Sequence, residues 1–103
     1  MNEVTNKTFR EEVLESEKPV LVEFWSSWCP PCKMMEPTLK QLEEKHPEIK
    51  VCKVNTDRNR LLTEEYGILG IPTFILLKEG VEVGREVGAK SRDQLVELIK
   101  ELK

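Results

Sequence analysis

The segment Val20-Leu-Val-Glu-Phe-Trp25-Ser-Ser-Trp28-Cys29-Pro-Pro-Cys32 joins a dense apolar run to two prolines framed by cysteines. A run rich in β-branched and aromatic residues is expected of a strand covered on both faces in a parallel sheet. The prolines suit the first turn of a helix, where the missing amide costs nothing and φ is already set. Met35, Leu39 and Leu42 follow at i, i+4 and i+7. A helix is therefore expected to begin near Pro31, to kink at Pro37 and to close at Pro47. Strand, cysteine pair and helix start are contiguous.

Working outward, Thr8-Phe-Arg-Glu11 reads as a capping box opening a short helix with Phe9, Val13 and Leu14 on one side. Ile49 to Val54 reads as a second strand, and Asn59 to Tyr66 as a short helix stopped by Gly67. Thr73 to Lys78 and Val81 to Val87 form a predicted hairpin around Glu79-Gly80. Ser91-Arg-Asp-Gln94 is a second capping box, followed by the apolar stripe Leu95, Leu98, Ile99 and Leu102. The predicted order is (short β)αβαβαββα. Alternation of strands with helices implies parallel pairings, and the late hairpin adds an antiparallel pair. The expected architecture is an α/β fold, a mixed sheet with helices on both faces.

The chain has 103 residues, 39% of them hydrophobic, which is matter for one modest core and a single domain over 1–103. The densest apolar run, Phe74 to Leu77, is far short of the ~18–20 residues of a membrane span. Sixteen basic against nineteen acidic residues give a net charge of −3, which argues against nucleic acid as a partner. The opening Met-Asn-Glu-Val-Thr-Asn-Lys has no apolar core of a secretory signal, so a cytoplasmic location is expected. Three cysteines in that setting point to catalysis rather than to a secreted disulfide scaffold. No large apolar surface excess is evident, so a monomer is expected.

A C-x-x-C between a strand and a helix reads as a redox pair. Cys29 stands before a helix start, where orphan N–H groups and the helix dipole favour an anion by roughly 0.3–2 kcal/mol. An effect of that size draws a free thiol from about 8.5 toward 7, near the optimum for an attacking thiolate. Cys32, one turn on, lies within disulfide reach. Cys29 then attacks a substrate disulfide, and Cys32 resolves the mixed disulfide. Cys32 must lose a proton to do so. Glu23, on the strand face of Leu21 and Trp25, is the candidate acceptor, since burial raises a carboxyl toward neutral pH.

Other segments extend this reading: Trp28-Cys-Pro-Pro-Cys-Lys33, Pro37, Lys53-Val-Asn, Tyr66-Gly-Ile, Gly70-Ile-Pro-Thr-Phe, and the late Gly80, Gly84 and Gly88. Together and in order they resemble the thioredoxin family along essentially the whole chain. The resemblance implies the thioredoxin fold and a protein-disulfide reductase recharged by a thioredoxin reductase, with no metal and no bound cofactor. It implies Cys29 as nucleophile, Cys32 as resolving thiol, and Glu23 with Lys53 as a buried proton-handling pair. It also implies a cis Ile71–Pro72 bond facing the disulfide. Trp28, Ile71, Pro72, Gly88 and Ala89, with Pro30 and Pro31 of the motif itself, become the substrate-contact surface.

Two positions depart from the family's most familiar pattern. Pro30 stands where glycine is usual, which predicts a stiffer loop and a more reducing protein than a Pro30→Gly variant. Glu23 stands where aspartate is usual, and its extra carbon carries the carboxyl about 1.5 Å further.

Competing readings attach to several residues. The same fold can run as a disulfide oxidase or isomerase, a direction set by potential rather than by sequence pattern. Cys29, Cys32, His46 and Cys52 have tolerable spacing for a zinc-stapled interaction domain. Against this, Cys52 sits in an apolar strand pattern, as a buried hydrophobe would. His46 stands in the last turn of a helix, where a cation suits the dipole. Met34 and Met35 read as helix packing and Trp25 as core, with Trp28 the exposed contact.

Overall fold

The computed structural model describes residues 1–102. Its strands are β1 (Asn2–Glu3), β2 (Val20–Trp25), β3 (Lys50–Asn55), β4 (Thr73–Lys78) and β5 (Val81–Val87). They form one sheet in the order β1-β3-β2-β4-β5. β3 runs parallel to both β1 and β2, whereas β4 is antiparallel to β2 and to β5. The helices are α1 (Pro30–Met34), α2 (Glu36–Lys45), α3 (Arg60–Glu65) and α4 (Arg92–Ile99). This is the mixed sheet the residue pattern predicts.

The apolar-rich strands β2, β3 and β4, interrupted by Glu23 and Lys53, occupy the middle of the sheet, so each of their faces buries side chains. On one face Val22, Phe24, Cys52, Val54 and Ile75 pack with Phe9, Val13 and Leu62 from the helical segments. On the other, Leu21, Val51, Phe74 and Leu76 pack with Met35, Leu39 and Leu42 of α2 and Leu95, Leu98 and Ile99 of α4. Edge strand β5 is more exposed. The hairpin turn is closed by Glu79 at φ 52° and Gly80 at φ 79°, the paired positive φ of a type I′ turn that matches strand twist. Ser91 and Gln94 form both bonds of the capping box that starts α4.

Four local expectations are corrected. The segment after Thr8 is a π-helical turn over Arg10–Leu14, and Thr8 Oγ1 accepts from Thr5 N rather than capping with Glu11. The chain already turns at Thr5, whose carbonyl accepts from both Thr8 N and Phe9 N, so the Thr8 hydroxyl is engaged one turn too early. The second helix begins at Pro30 rather than Pro31, because Cys29 alone supplies the extended residue before it. It breaks at Met35, where Pro37 removes the amide owed to Lys33, giving α1 and α2 instead of one kinked rod. The second strand runs one residue later than Ile49–Val54.

Candidate active site

Cys29 and Cys32 are joined by a disulfide, with Cα atoms 5.3 Å apart. Cys29 is the N-cap of α1 at φ −104° and ψ 101°, the extended conformation that a following proline imposes. Its Sγ accepts from Cys32 N at 3.3 Å. Pro30 and Pro31 carry no amide hydrogen, so the first amide of this helix is that of Cys32, shared between Cys29 O at 3.1 Å and the sulfur. The general stabilisation expected from a helix start is here concentrated in a single directed donor. Both cysteines are buried, while Pro30, Pro31 and Trp28 are exposed.

Ile71–Pro72 is a cis peptide, and the Ile71 carbonyl oxygen lies 3.9 Å from Cys29 Sγ. A disulfide sulfur has no proton to donate, so this is a packing contact in the oxidised state. Gly88, at φ 93°, donates its amide to Pro72 O at 2.7 Å, and Thr73 Oγ1 donates to Gly70 O at 2.6 Å. These bonds brace the loop against the end of β5 and bring Gly88 beside it. Ala89, the next residue, is exposed. Trp28 is held by two bonds: its indole N–H donates to Asp57 Oδ2 and its backbone N–H to Ser26 Oγ. Asp57 was not singled out in the sequence, where a lone aspartate after a strand carries no signal.

Strand register sets Glu3, Lys53 and Glu23 in one row across β1, β3 and β2. Directly paired residues share a sheet face, here the face covered by α2 and α4. Glu23 is 1% exposed, and its Oε2 has no hydrogen-bond partner among the described residues. Burial pushes this carboxyl up to about 8, against the opposing pull of Lys53 and with a smaller push from Glu36 and Glu3. Lys53 is Glu23's neighbour in the ladder, yet its Nζ forms its ion pair with Glu36 of α2. The same ammonium lies 4.3 Å from the ring centroid of Trp25, within cation–π range. Trp25 is partly exposed instead of core. Glu36 is the second residue absent from the sequence reading, since a glutamate in a Lys/Glu-rich helix looks like solvated surface.

The remaining candidates fall elsewhere. Cys52 lies in the opposite core from Leu21 and α2, and burial pushes its thiol up to about 11. His46 caps α2 and contacts Glu48 at 3.1 Å. The four residues of the zinc reading are not brought together among the described residues. Met35 packs in the core, but Met34 is exposed, on the outer side of α1. No helix among the described residues is long and apolar enough to cross a membrane.

A buried disulfide at a helix start, flanked by the exposed Trp28, Pro30 and Pro31, is an arrangement that suits dithiol exchange. The thioredoxin family profile matches residues 1–101. The chain belongs to the thioredoxin family. It is 42% identical over 99 residues to the thioredoxin of Rickettsia felis, covering 95% of this chain and 94% of the relative. It is 45% identical over 93 residues to thioredoxin 1 of Synechococcus elongatus, covering 89% and 87%. It is 43% identical over 93 residues to the thioredoxin of Pseudomonas aeruginosa, covering 89% and 86%. This family member is a thiol-disulfide oxidoreductase that carries electrons through a redox-active Cys29/Cys32 pair.

Proposed function

We propose that the protein reduces disulfides of other proteins, with Cys29 as nucleophile and Cys32 as resolving thiol. The Cys29 thiolate attacks one substrate sulfur; a mixed disulfide forms and the first substrate thiolate leaves, taking a proton from water. Cys32 gives its proton to Glu23 in its carboxylate form, the minority form at neutral pH for a group raised to about 8, and attacks Cys29 Sγ. The mixed disulfide breaks, the second substrate thiolate leaves, and two electrons have passed from the dithiol to the substrate. Cys29–Cys32 is left oxidised, to be recharged by a thioredoxin reductase.

The observation that carries this reading is the Cys32 amide directed at Cys29 Sγ from a helix start whose other early amides are missing. That donor can hold the Cys29 thiolate, and among the described residues no equivalent donor reaches Cys32 Sγ. Exposed Trp28, Pro30, Pro31 and Ala89, with Ile71 against the sulfur and Pro72 and Gly88 hydrogen-bonded to each other in the adjoining loop, form a rim that suits a protein surface. A cleft of about 750 Å³ opens beside Trp25 between Glu3, Lys7 and Arg58, and the cysteines do not line it. Lys53 acts with Glu23 as the electrostatic part of the proton relay. We assign the whole chain, 1–103, to one domain working as a cytoplasmic monomer, in keeping with one sheet carrying both cores.

The test is insulin reduction driven by a thioredoxin reductase, comparing wild type with Cys29→Ser and Cys32→Ser. Cys29→Ser is expected to be inactive, and Cys32→Ser to accumulate covalent adducts with the substrate. Retention of near-wild-type turnover by Cys29→Ser overturns the assignment.

A further inference from the structure

The row Glu3–Lys53–Glu23 places one cation between two acids, and simple ladder geometry offers it to either. It goes to neither. Lys53 Nζ is drawn up to Glu36, which stands four residues beyond Cys32 at the start of α2. The Lys53 side chain is 11% exposed and that of Glu36 45%, so the pair leads from the buried row toward solvent. Trp25 provides the second hold, its ring under the same ammonium. Glu23 Oε2 is left without a partner in the same neighbourhood.

We propose that Glu36 is a positioning residue of the redox site: by holding Lys53 it withholds that cation from Glu23 and so governs when the buried acid takes up a proton. The argument is one of competition. A carboxylate that gains an ammonium within about 4–6 Å is favoured in its charged form by one to three pH units. With Lys53 engaged by Glu36, its remaining pull on Glu23 is outweighed by desolvation, and the charge of Glu36 adds a smaller push of the same sign as burial. The charged groups that bear on Glu23 are Lys53 from β3, Glu36 from α2 and Glu3 from β1. Its ladder partner on β4 is the uncharged Phe74. Of the three acids near Lys53 (Glu3, Glu23 and Glu36), Glu36 is the one ion-paired to it among the described residues. Neutralising Glu36 therefore removes a repulsion and frees a cation, and both changes lower the pH at which Glu23 ionises.

This inference rests on the reading of Glu23 as proton acceptor, and the two can fail separately. The direct experiment is a carboxyl-carbon NMR titration of Glu23 in the oxidised protein, its signal identified by loss in Glu23→Gln. In Glu36→Gln the midpoint is expected to fall by about one pH unit or more. Glu36→Asp, with a shorter reach to Lys53, is expected to fall between that variant and wild type. In a Lys53→Gln background, Glu36→Gln is expected to shift the midpoint by less than half as much. An unmoved midpoint in Glu36→Gln overturns the proposal, as does an equal shift with and without Lys53, since the effect would then not pass through the lysine. The pH profile of insulin reduction supplies the catalytic arm: its limb is expected to move in Glu36→Gln in the direction of the titration. A fixed limb alongside a shifted midpoint overturns the catalytic part. Separately, if Glu23→Gln reduces insulin as fast as wild type, the acceptor role of Glu23 fails whatever Glu36 does.

Discussion

Trp28 donates its indole N–H to Asp57 Oδ2 at 3.0 Å across 29 residues, and Ser26 Oγ donates to the same oxygen. A large ring that is 69% exposed is thereby held in one orientation beside Cys29. An oriented aromatic surface loses less side-chain entropy on docking than a free one.

Asp57→Ala is expected to release the ring. A hydrogen bond of about 1 kcal/mol corresponds to roughly a fivefold rise in KM for a protein substrate, with kcat little changed. Steady-state kinetics on insulin check this, and an unaltered KM means that the tether plays no part in docking.

Glu23 makes stability depend on pH in a definite direction. Its folded value of about 8 lies above the ordinary 4.5, so between these the native state binds the extra proton. Stability is full below about 4.5 and falls as pH rises through 8. Glu23→Gln is expected to remove that fall and to be the more stable protein at pH 9 by a few kcal/mol. Denaturant midpoints at pH 6 and pH 9 measure it; a wild type whose stability is flat across this range contradicts a buried, raised carboxyl. The same variant is expected to slow insulin reduction tenfold or more.

Cys52 is expected to be chemically silent in the folded protein. With its thiol raised to about 11 by burial, only about one molecule in a thousand is thiolate at pH 8. Mass spectrometry of the reduced protein after brief iodoacetamide treatment is expected to find label on Cys29 and none on Cys52, which reacts only on unfolding. Equal labelling of the two would contradict both the burial of Cys52 and the activation of Cys29.

Pro30 restricts the loop most when the disulfide is open, because the dithiol form has the greater freedom to lose. A compatible proline is worth about 0.4–1 kcal/mol through that effect, or about 10–20 mV for a two-electron couple. Pro30→Gly is expected to be less reducing by this amount in equilibration with glutathione. Equal potentials retire the idea.

The strands, the late hairpin, the capping box of α4 and the redox pair were legible because each rests on neighbours in the chain. An apolar run, a positive-φ turn and a proline at a helix start act within a few residues, so spacing alone carries them. Thr8 shows the limit of such reading: its pattern is that of a cap, but a turn beginning three residues earlier claims its hydroxyl.

From the order of its residues alone, this protein was bound to make a covered strand ending in two cysteines, with a proline-started helix behind them. Which charges meet was decided by the tertiary structure. Lys53 could pair with Glu3, Glu23 or Glu36, and only the docking of α2 on the sheet brings the third within reach across 17 residues. Asp57 likewise becomes a tether only when β3 lies beside β2. Charge pairing depends on distance in space and on the cost of burial, and the chain's local pattern encodes neither.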